Sequence, residues 1–259
     1  MLSHDNEHDS FNNPDDETAP RGMINVWPYG RIKQDSLIGR RFKTEEELNA
    51  GGPPERDKHF VSYVIGLDPG RVRDYSGLVI IEPRFVGDVG HYLVRAVARY
   101  RLGIPYANII SKTKRVYDKL RDETIKKDTQ KFECSIVADA TGVGAPLVDA
   151  LRDKMPYADI ISAIFTGGYE ARFDGDMLYL PKNVAVSTLL ACFESGRIHI
   201  SEKLQLRDAL FDELQNYELR VTDEGAERFD HKSSGFSDLL SALMLAVFYS
   251  ERRRPAILF

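Results

Sequence analysis

The chain has 259 residues, of which 42% are hydrophobic and 29% charged, and its formal net charge is −5. This length suffices for one sizeable core, but no apolar run approaches the roughly 20 residues that span a bilayer. The composition therefore excludes a membrane-spanning helix, and the net charge does not by itself indicate a nucleic-acid-binding protein.

Cysteine usage and the N-terminal segment indicate the compartment. The chain has only Cys134 and Cys192, which are far apart in apolar surroundings. This excludes a disulfide framework or a cysteine zinc site and predicts buried thiols in a reducing compartment. The first residues carry no apolar core like that of a signal peptide. We therefore expect a cytoplasmic protein without membrane contact.

The composition divides the chain into three parts. Residues 1–58 read as an acidic, disordered tail and linker, ending near the turn-forming residues Ala50-Gly-Gly-Pro-Pro54. Within it, residues 23–42 are mixed in character and suit docking on a partner or on the following domain. The folded domain is predicted over residues 59–254, and residues 255–259 are a short C-terminal tail.

The domain opens with a predicted buried strand that ends in an acid. Residues 61–67 are apolar on both alternating phases, which favours a strand covered on both faces. Asp68 follows, and Pro69-Gly70 then turns the chain. Asp68 is thus expected at the carboxyl end of a central strand, where open α/β sheets place ligand sites.

Two more strands and a basic helix come next. Residues 78–81 and 90–100 predict strands joined by short loops, hence an antiparallel meander with the first strand. The helix predicted from Asn108 to about Lys127 is rich in lysine and arginine. Interleaved acids such as Asp118 and Asp122 favour a solvated helix face, while phosphate contact is the alternative.

A fourth strand, Cys134-Ser-Ile-Val-Ala-Asp139, also ends in an acid and is followed by a loop containing Gly142 and Gly144. A phosphate loop would need a lysine after the last glycine, and a dinucleotide loop would need a third glycine where Leu147 stands. Both nucleotide sites are therefore disfavoured. The glycines are expected to let the backbone turn sharply beside Asp139.

The remaining chain alternates further strands and helices. Residues 160–165 and 197–200 predict strands, and 174–180 a hairpin. Residues 181–183 precede a predicted helix that runs from Val184 to about Ser195 and that Gly196 ends. A further helix is expected from Leu206 to about Glu218. The last predicted element, residues 237–249, is a strongly apolar helix with Ser237 as its cap and Asp238 in its first turn.

This order of elements is ribonuclease-H-like: an α/β mixed sheet with an antiparallel first three strands and helices on both faces. In that arrangement Asp68, Asp139 and Asp238 meet at one edge of the sheet. Three carboxylates so close cannot all stay ionised without a counter-charge. Two Mg²⁺ or Mn²⁺ ions supply that charge and support hydrolysis of a phosphodiester without a nucleophilic side chain.

Several short motifs resemble the nuclease domain of the large terminase subunit of tailed bacteriophages, a member of the resolvase-like nuclease superfamily. They occur in the family's order and spacing between about Tyr63 and Ser250: Gly66-Leu-Asp68-Pro-Gly70, Asp74-Tyr-Ser-Gly77, Ala138-Asp139-Ala-Thr-Gly142-Val-Gly144, Phe165-Thr-Gly-Gly168, Tyr179-Leu-Pro-Lys182, Ser195-Gly-Arg-Ile-His-Ile200, Leu210-Phe-Asp-Glu-Leu214 and Ser237-Asp-Leu-Leu-Ser-Ala242.

The resemblance implies a metal-dependent endonuclease that cuts concatemeric double-stranded viral DNA during packaging, in the cytoplasm of the host cell. It implies Asp68, Asp139 and Asp238 as the catalytic and metal-binding residues. The family's last helix usually reads His-Asp-Asp-Leu-x-Asp-Ala, and here only Asp238 of those acids is present. Asp74 or Asp230 could substitute for a missing acid.

The chain has no Walker loop, so we expect no ATPase activity and no packaging by this chain alone. A separate terminase ATPase chain, the small terminase subunit and the portal are the partners that the resemblance implies. The alternatives are a junction-resolving nuclease of the same fold and a non-cleaving DNA-binding or portal-docking module. DNA contact is predicted through Lys112, Lys114, Arg115, Lys119, Lys126, Lys127, Arg252, Arg253 and Arg254.

Overall fold

A computed structural model of the protein describes residues 54, 60–70, 74–125, 131–142, 144–221, 227–231 and 237–253. The strands are β1 (Phe60–Asp68), β2 (Ser76–Val86), β3 (Val89–Tyr100), β4 (Lys131–Asp139), β5 (Asp159–Thr166), β6 (Arg172–Asp174), β7 (Met177–Pro181), β8 (Ile198–Ile200), β9 (Tyr217–Val221) and β10 (Glu227–His231). The helices are α1 (Tyr106–Ile125), α2 (Gly144–Lys154), α3 (Lys182–Glu194), α4 (Arg207–Asn216) and α5 (Asp238–Arg252). Of the predicted tail and linker, residues 1–58, the structure describes only residue 54, and the predicted C-terminal tail, residues 255–259, lies outside the described residues.

One large sheet organises the domain, with the strand order β6-β7-β5-β4-β1-β2-β3-β8. Strands β1, β2 and β3 are antiparallel neighbours, whereas β4 runs parallel to β1 and β5 parallel to β4. Helices α1 and α2 cover one face, and α3, α4 and α5 cover the other. The predicted mixed sheet, with an antiparallel start and helices on both faces, is therefore confirmed.

Strand β1 is central because both of its edges are paired and both of its faces are covered. Ile65 and Leu67 are fully buried on the face of α1 and α2, and Val64 is buried on the face of α5. This explains the near-continuous apolar sequence of the strand, since a side chain of either phase meets a core.

Helix α5 is buried along almost its whole length, from Asp238 to Ser250. Two glycines let it approach the sheet closely. A Cβ atom at Gly66 would lie 1.9 Å from the carbonyl oxygen of Ala242, and one at Gly77 would lie 2.3 Å from that of Asp238. The first turn of α5 therefore rests directly on the backbones of β1 and β2.

Most predicted elements are present with small shifts at their ends. Gly196 has a φ of +68° directly after the last turn of α3, as its predicted role as a helix stop requires. Both cysteines are buried thiols, as predicted. The β9–β10 hairpin was not predicted. No helix in the described ranges is long and apolar enough to cross a membrane.

The prediction that Ser237 caps the last helix is wrong. Ser237 stands at the N-cap position, but its side chain makes no capping hydrogen bond. The backbone N–H of Leu240 instead donates to Oε2 of Glu213 at 2.8 Å. A carboxylate from α4 thus takes the place of the local cap, because α4 packs beside the first turn of α5.

We expect Gly66→Ala to destabilise the protein by about 1–3 kcal/mol or more, because the added methyl group overlaps the backbone of α5. Gly167→Ala is the matched control, since a Cβ atom there meets nothing within 4 Å. Urea denaturation of both variants measures the difference. Equal stability of the two variants would contradict the close packing of α5 on β1.

Candidate active site

Two acids lie side by side at one edge of the sheet. In the parallel pairing of β1 with β4, Leu67 faces Ala138, so Asp68 and Asp139 follow as neighbours at the carboxyl ends of the two strands. The backbone N–H of Thr141 donates to Oδ1 of Asp139 at 2.7 Å and fixes that carboxylate. The parallel register thus places two acids 71 positions apart in sequence at the same edge.

The third acid, Asp238, reaches this edge from the last helix of the domain, α5. Asp238 is the first residue of α5, and its carbonyl oxygen lies against Gly77, which pairs with Asp68 across β1 and β2. Its side chain is buried, with 5% relative exposure. The close approach that Gly77 permits is therefore what brings Asp238 beside the acids of β1 and β4.

Electrostatic effects show that the three acids share one environment. Desolvation raises the pKa of Asp68 well above its ordinary value, and the nearby charges of Asp139 and Asp238 raise it further. A hydrogen bond from Ser241 and the charge of Lys182 act in the opposite direction. Like-charge repulsion of this kind is relieved when a cation binds between the carboxylates.

Burial also raises the pKa of Asp139, while hydrogen bonds from Thr141 and the charge of Lys182 lower it. Lys182 therefore acts on both strand-end acids. It is the first residue of α3, directly after β7, at the same edge of the sheet. Lys182 belongs to the motif Tyr179-Leu-Pro-Lys182, but no role was predicted for it from the sequence.

Asp238 takes part in a buried ionic network with Arg99 and Glu213. Nε of Arg99 donates to Oδ2 of Asp238 at 3.2 Å, and Nη2 of Arg99 donates to Oε1 of Glu213. Burial raises the pKa of both acids, and the charge of Arg99 opposes that shift. Oδ1 of Asp238 is buried and has no hydrogen-bond partner among the described residues.

Neither Arg99 nor Glu213 was predicted from the sequence as a residue of the site. Leu210 and Leu214 belong to the apolar stripe of their helix, and Glu213 lies three residues after the first and directly before the second. This position beside the stripe indicates a buried acid. An acid beside a buried stripe needs a partner. Arg99 shares the strand phase of the buried Val97, which is a weaker signal.

The two auxiliary acids proposed from the sequence differ in position. Asp74 is exposed on the connection between β1 and β2, with its carbonyl oxygen against Gly70. Asp230 lies in β10, and its side chain is outside the described part of the structure. Ser241 stands where the family motif has its last acid, and its hydroxyl group lowers the pKa of Asp68.

The residues of this edge fit a divalent cation chemically, although no ready-made cluster exists. Among the described residues, no group of three His, Cys, Asp or Glu side chains is arranged to hold a metal ion. However, the mutual repulsion of the acids and the unpartnered Oδ1 of Asp238 both favour a positive charge at this edge. Carboxylate oxygens are the ligands that Mg²⁺ and Mn²⁺ prefer.

The basic residues proposed for DNA contact lie in two regions. On α1, Lys114 pairs with Asp118, and Lys119 with Glu123 at 4.0 Å, so acids and bases interleave as on a solvated face. Nζ of Lys112 lies 5.6 Å from the ring centroid of Tyr100, the last residue of β3. Arg115 is exposed on the same helix.

The second region is the C-terminal end of α5, where Arg253 pairs with Asp159 and Arg252 lies over Phe248. A 15-residue helix separates this end from Asp238 by about 22 Å. Lys126, Lys127 and Arg254 lie outside the described residues. DNA contact through either region stays a prediction.

The family model described as the terminase RNaseH-like domain matches residues 65–250. The chain belongs to this terminase family. The matched range contains β1 to α5 almost completely, including the three acids of the site. The terminase domain therefore has the ribonuclease-H-like fold that its motifs implied. No curated protein matches the chain.

Solved structures similar to this terminase domain include three from different viruses. The large terminase nuclease of thermophilic phage G20c with bound magnesium is 18% identical, covering 73% of this chain and 81% of that chain with a TM-score of 0.49. The large terminase of bacteriophage HK97 is 16% identical, with coverages of 78% and 41% and a TM-score of 0.48. The manganese-soaked terminase nuclease domain of human cytomegalovirus is 15% identical, with coverages of 76% and 85% and a TM-score of 0.45. The family assignment depends on the match over residues 65–250 and not on these scores.

Replacing Asp68 by asparagine should stabilise the protein at neutral pH when divalent ions are removed with EDTA. Because its folded-state pKa is raised, Asp68 binds its proton more tightly when folded, and it costs stability as pH rises above about 4. The gain in Tm from Asp68→Asn should therefore disappear toward pH 4. Asp149→Asn, at an exposed acid of α2, is the control. A gain that is absent at neutral pH would contradict the assigned repulsion.

Proposed function

We propose that this terminase-family protein is a divalent-metal-dependent endonuclease that cuts double-stranded DNA during viral genome packaging. The observation that carries the proposal is the convergence of Asp68, Asp139 and Asp238 at one sheet edge, where each acid is desolvated and Asp68 is repelled by the other two. Such an arrangement is costly for the folded protein and is explained by a bound cation.

Asp68, Asp139 and Asp238 are the residues proposed to hold two Mg²⁺ or Mn²⁺ ions. When bound, such a pair of ions supplies an activated water and stabilises the leaving oxygen of a phosphodiester. The acids themselves bind and orient. Thr141 holds Asp139 by a backbone hydrogen bond, and the hydroxyl group of Ser241 lowers the pKa of Asp68.

Lys182 adds a fixed positive charge to the site. Its charge acts on both Asp68 and Asp139, so it lies within electrostatic reach of any phosphate bound there. We assign it to the attraction of the scissile phosphate, because a cation at this edge stabilises negative charge that develops during hydrolysis. Asp74, which is exposed on the connection between β1 and β2, is a candidate for an auxiliary metal ligand.

The proposed place of action is the host-cell cytoplasm, together with a terminase ATPase chain, a small terminase subunit and a portal. These partners follow from the family and not from a surface of this chain. The proposed substrate is concatemeric DNA, contacted through phosphates by the exposed cations of α1. Two other functions, junction resolution and DNA binding without cleavage, are separated from packaging cleavage by the experiments below.

The purified protein should nick and then degrade supercoiled plasmid DNA with Mn²⁺ or Mg²⁺, and not with EDTA. Asp139→Asn should lower the rate by about 100-fold or more, because it removes a charged ligand at the reacting centre. Asp149→Asn, an exposed acid outside the site, should cut normally. Agarose gel electrophoresis over time gives both rates.

If the unmutated protein binds DNA but does not cut it with either metal, the binding-module function replaces the nuclease. A strong preference for four-way junctions over linear duplex DNA would favour a junction-resolving enzyme. Circular dichroism of Asp139→Asn must match that of the unmutated protein, so that lost cleavage reports chemistry and not unfolding.

Lys112→Gln combined with Arg115→Gln should flatten the salt dependence of duplex binding, measured by fluorescence anisotropy with Ca²⁺ or EDTA. The slope of log K against log salt concentration is negative, and each lost phosphate contact reduces its magnitude by about 0.9. Arg253→Gln should change the slope less, because Asp159 already pairs with Arg253. An unchanged slope in the double variant would exclude this face of α1 as the DNA-contact surface.

A further inference from the structure

Glu213 is one of the most buried acids in the described part of the chain, with 2% relative exposure. Its two carboxylate oxygens have different partners. Oε1 accepts from Nη2 of Arg99, and Oε2 accepts from the backbone N–H of Leu240 at 2.8 Å. The side chain of Glu213 on α4 therefore connects the end of β3 to the first turn of α5.

The contact with Leu240 replaces a helix cap. Leu240 is the third residue of α5, where an N–H has no partner within the helix, and Ser237 does not supply one. Glu213 thus fixes where α5 begins, and Asp238 is the first residue of that helix.

The contact with Arg99 controls the side chain of Asp238. The guanidinium group presents its Nε to Oδ2 of Asp238 and its Nη2 to Glu213, and it lies 5.3 Å from the ring centroid of Tyr75. A planar guanidinium group can hold two carboxyl groups at once. Arg99 uses only Nε for Asp238 and therefore holds it through one oxygen, Oδ2. Oδ1 is the oxygen that remains without a partner among the described residues.

We propose that Glu213, acting through Arg99 and the first turn of α5, is a positioning residue that presents Oδ1 of Asp238 to a divalent cation. The inference rests on the nuclease function proposed above. It supplies a carboxylate from outside the last-helix motif, in which Ser241 stands where the family has an acid. Glu213 itself contacts neither substrate nor the reacting atoms.

The test is Mn²⁺ binding to the full chain without DNA, measured by isothermal titration calorimetry. Glu213→Gln keeps one acceptor oxygen for Leu240 but loses the second oxygen, which accepts from Arg99. It should weaken Mn²⁺ binding about 10- to 100-fold, the usual effect of losing a partner of a metal ligand. The nicking rate should fall and be partly restored by excess Mn²⁺, with the KM for plasmid DNA unchanged.

Asp212→Asn is the matched control, because Asp212 is the exposed neighbour of Glu213 on α4. Its Mn²⁺ affinity should equal that of the unmutated protein. If Glu213→Gln lowers Tm but leaves the Mn²⁺ affinity and the nicking rate unchanged, Glu213 is merely structural and the proposal is overturned. If Glu213→Gln does not unfold cooperatively, the Mn²⁺ affinity of Arg99→Lys decides, because this variant keeps the positive charge but loses the guanidinium group that joins both acids. A weaker Mn²⁺ affinity supports the proposal, and an unchanged one overturns it.

The two proposals fail in distinguishable ways. An unmutated protein that never cuts DNA removes the nuclease function, while the comparison of Mn²⁺ affinities still decides the role of Glu213. An unmutated protein that cuts, with a Glu213→Gln variant that binds Mn²⁺ and cuts equally well, removes only the role of Glu213.

Discussion

Repulsion among carboxylates at one edge of the central sheet is the constraint on which the site depends. Asp68 and Asp139 are neighbours because β1 and β4 are parallel and in register, and Asp238 joins them from α5. All three have their pKa raised by desolvation, and that of Asp68 is raised further by its two neighbours. The fold thus holds together charges that separate in the unfolded chain, which is a stability cost concentrated where function is expected.

The surrounding residues offset part of this cost. Lys182 opposes the negative potential at Asp68 and Asp139, and Arg99 does so at Asp238. These cations come from different elements, the start of α3 and the end of β3, so the charge balance exists only in the folded state. The balance is also incomplete, since Oδ1 of Asp238 has no partner among the described residues. Two basic side chains thus face the four acids Asp68, Asp139, Asp238 and Glu213, and this partial balance of charge suits reversible binding of a cation.

Close backbone packing is the second requirement. Helix α5 can place Asp238 at the edge only because Gly66 and Gly77 leave no side chain between its first turn and the sheet. The same turn is also held by Glu213 of α4, whose Oε2 accepts a hydrogen bond from the backbone N–H of Leu240. The position of Asp238 in the candidate site is therefore set by two glycines of the sheet and one acid of α4, and none of the three is a proposed metal ligand.

Much of this could be predicted from local patterns. The apolar phases of β1 indicated a strand covered on both faces, the acid after each of β1 and β4 marked the edge, and Gly196 marked the end of α3. These predictions succeeded because each depends on residues that are adjacent in sequence, where strand and helix periods are directly visible. The predicted cap at Ser237 failed for the complementary reason, since its competitor, Glu213, lies on another helix.

The sequence by itself determined most of the elements, though not the β9–β10 hairpin, and it determined which acids end the strands and which helix must be buried. Only the tertiary structure decided that Arg99 joins Glu213 to Asp238, that Lys182 faces the acids of β1 and β4, and that Oδ1 of Asp238 lacks a partner. The physical reason is that charge pairing in a core depends on distances between side chains from separate elements. Those distances are set by strand register and by how closely a helix packs on the sheet, and no periodicity along the chain encodes either.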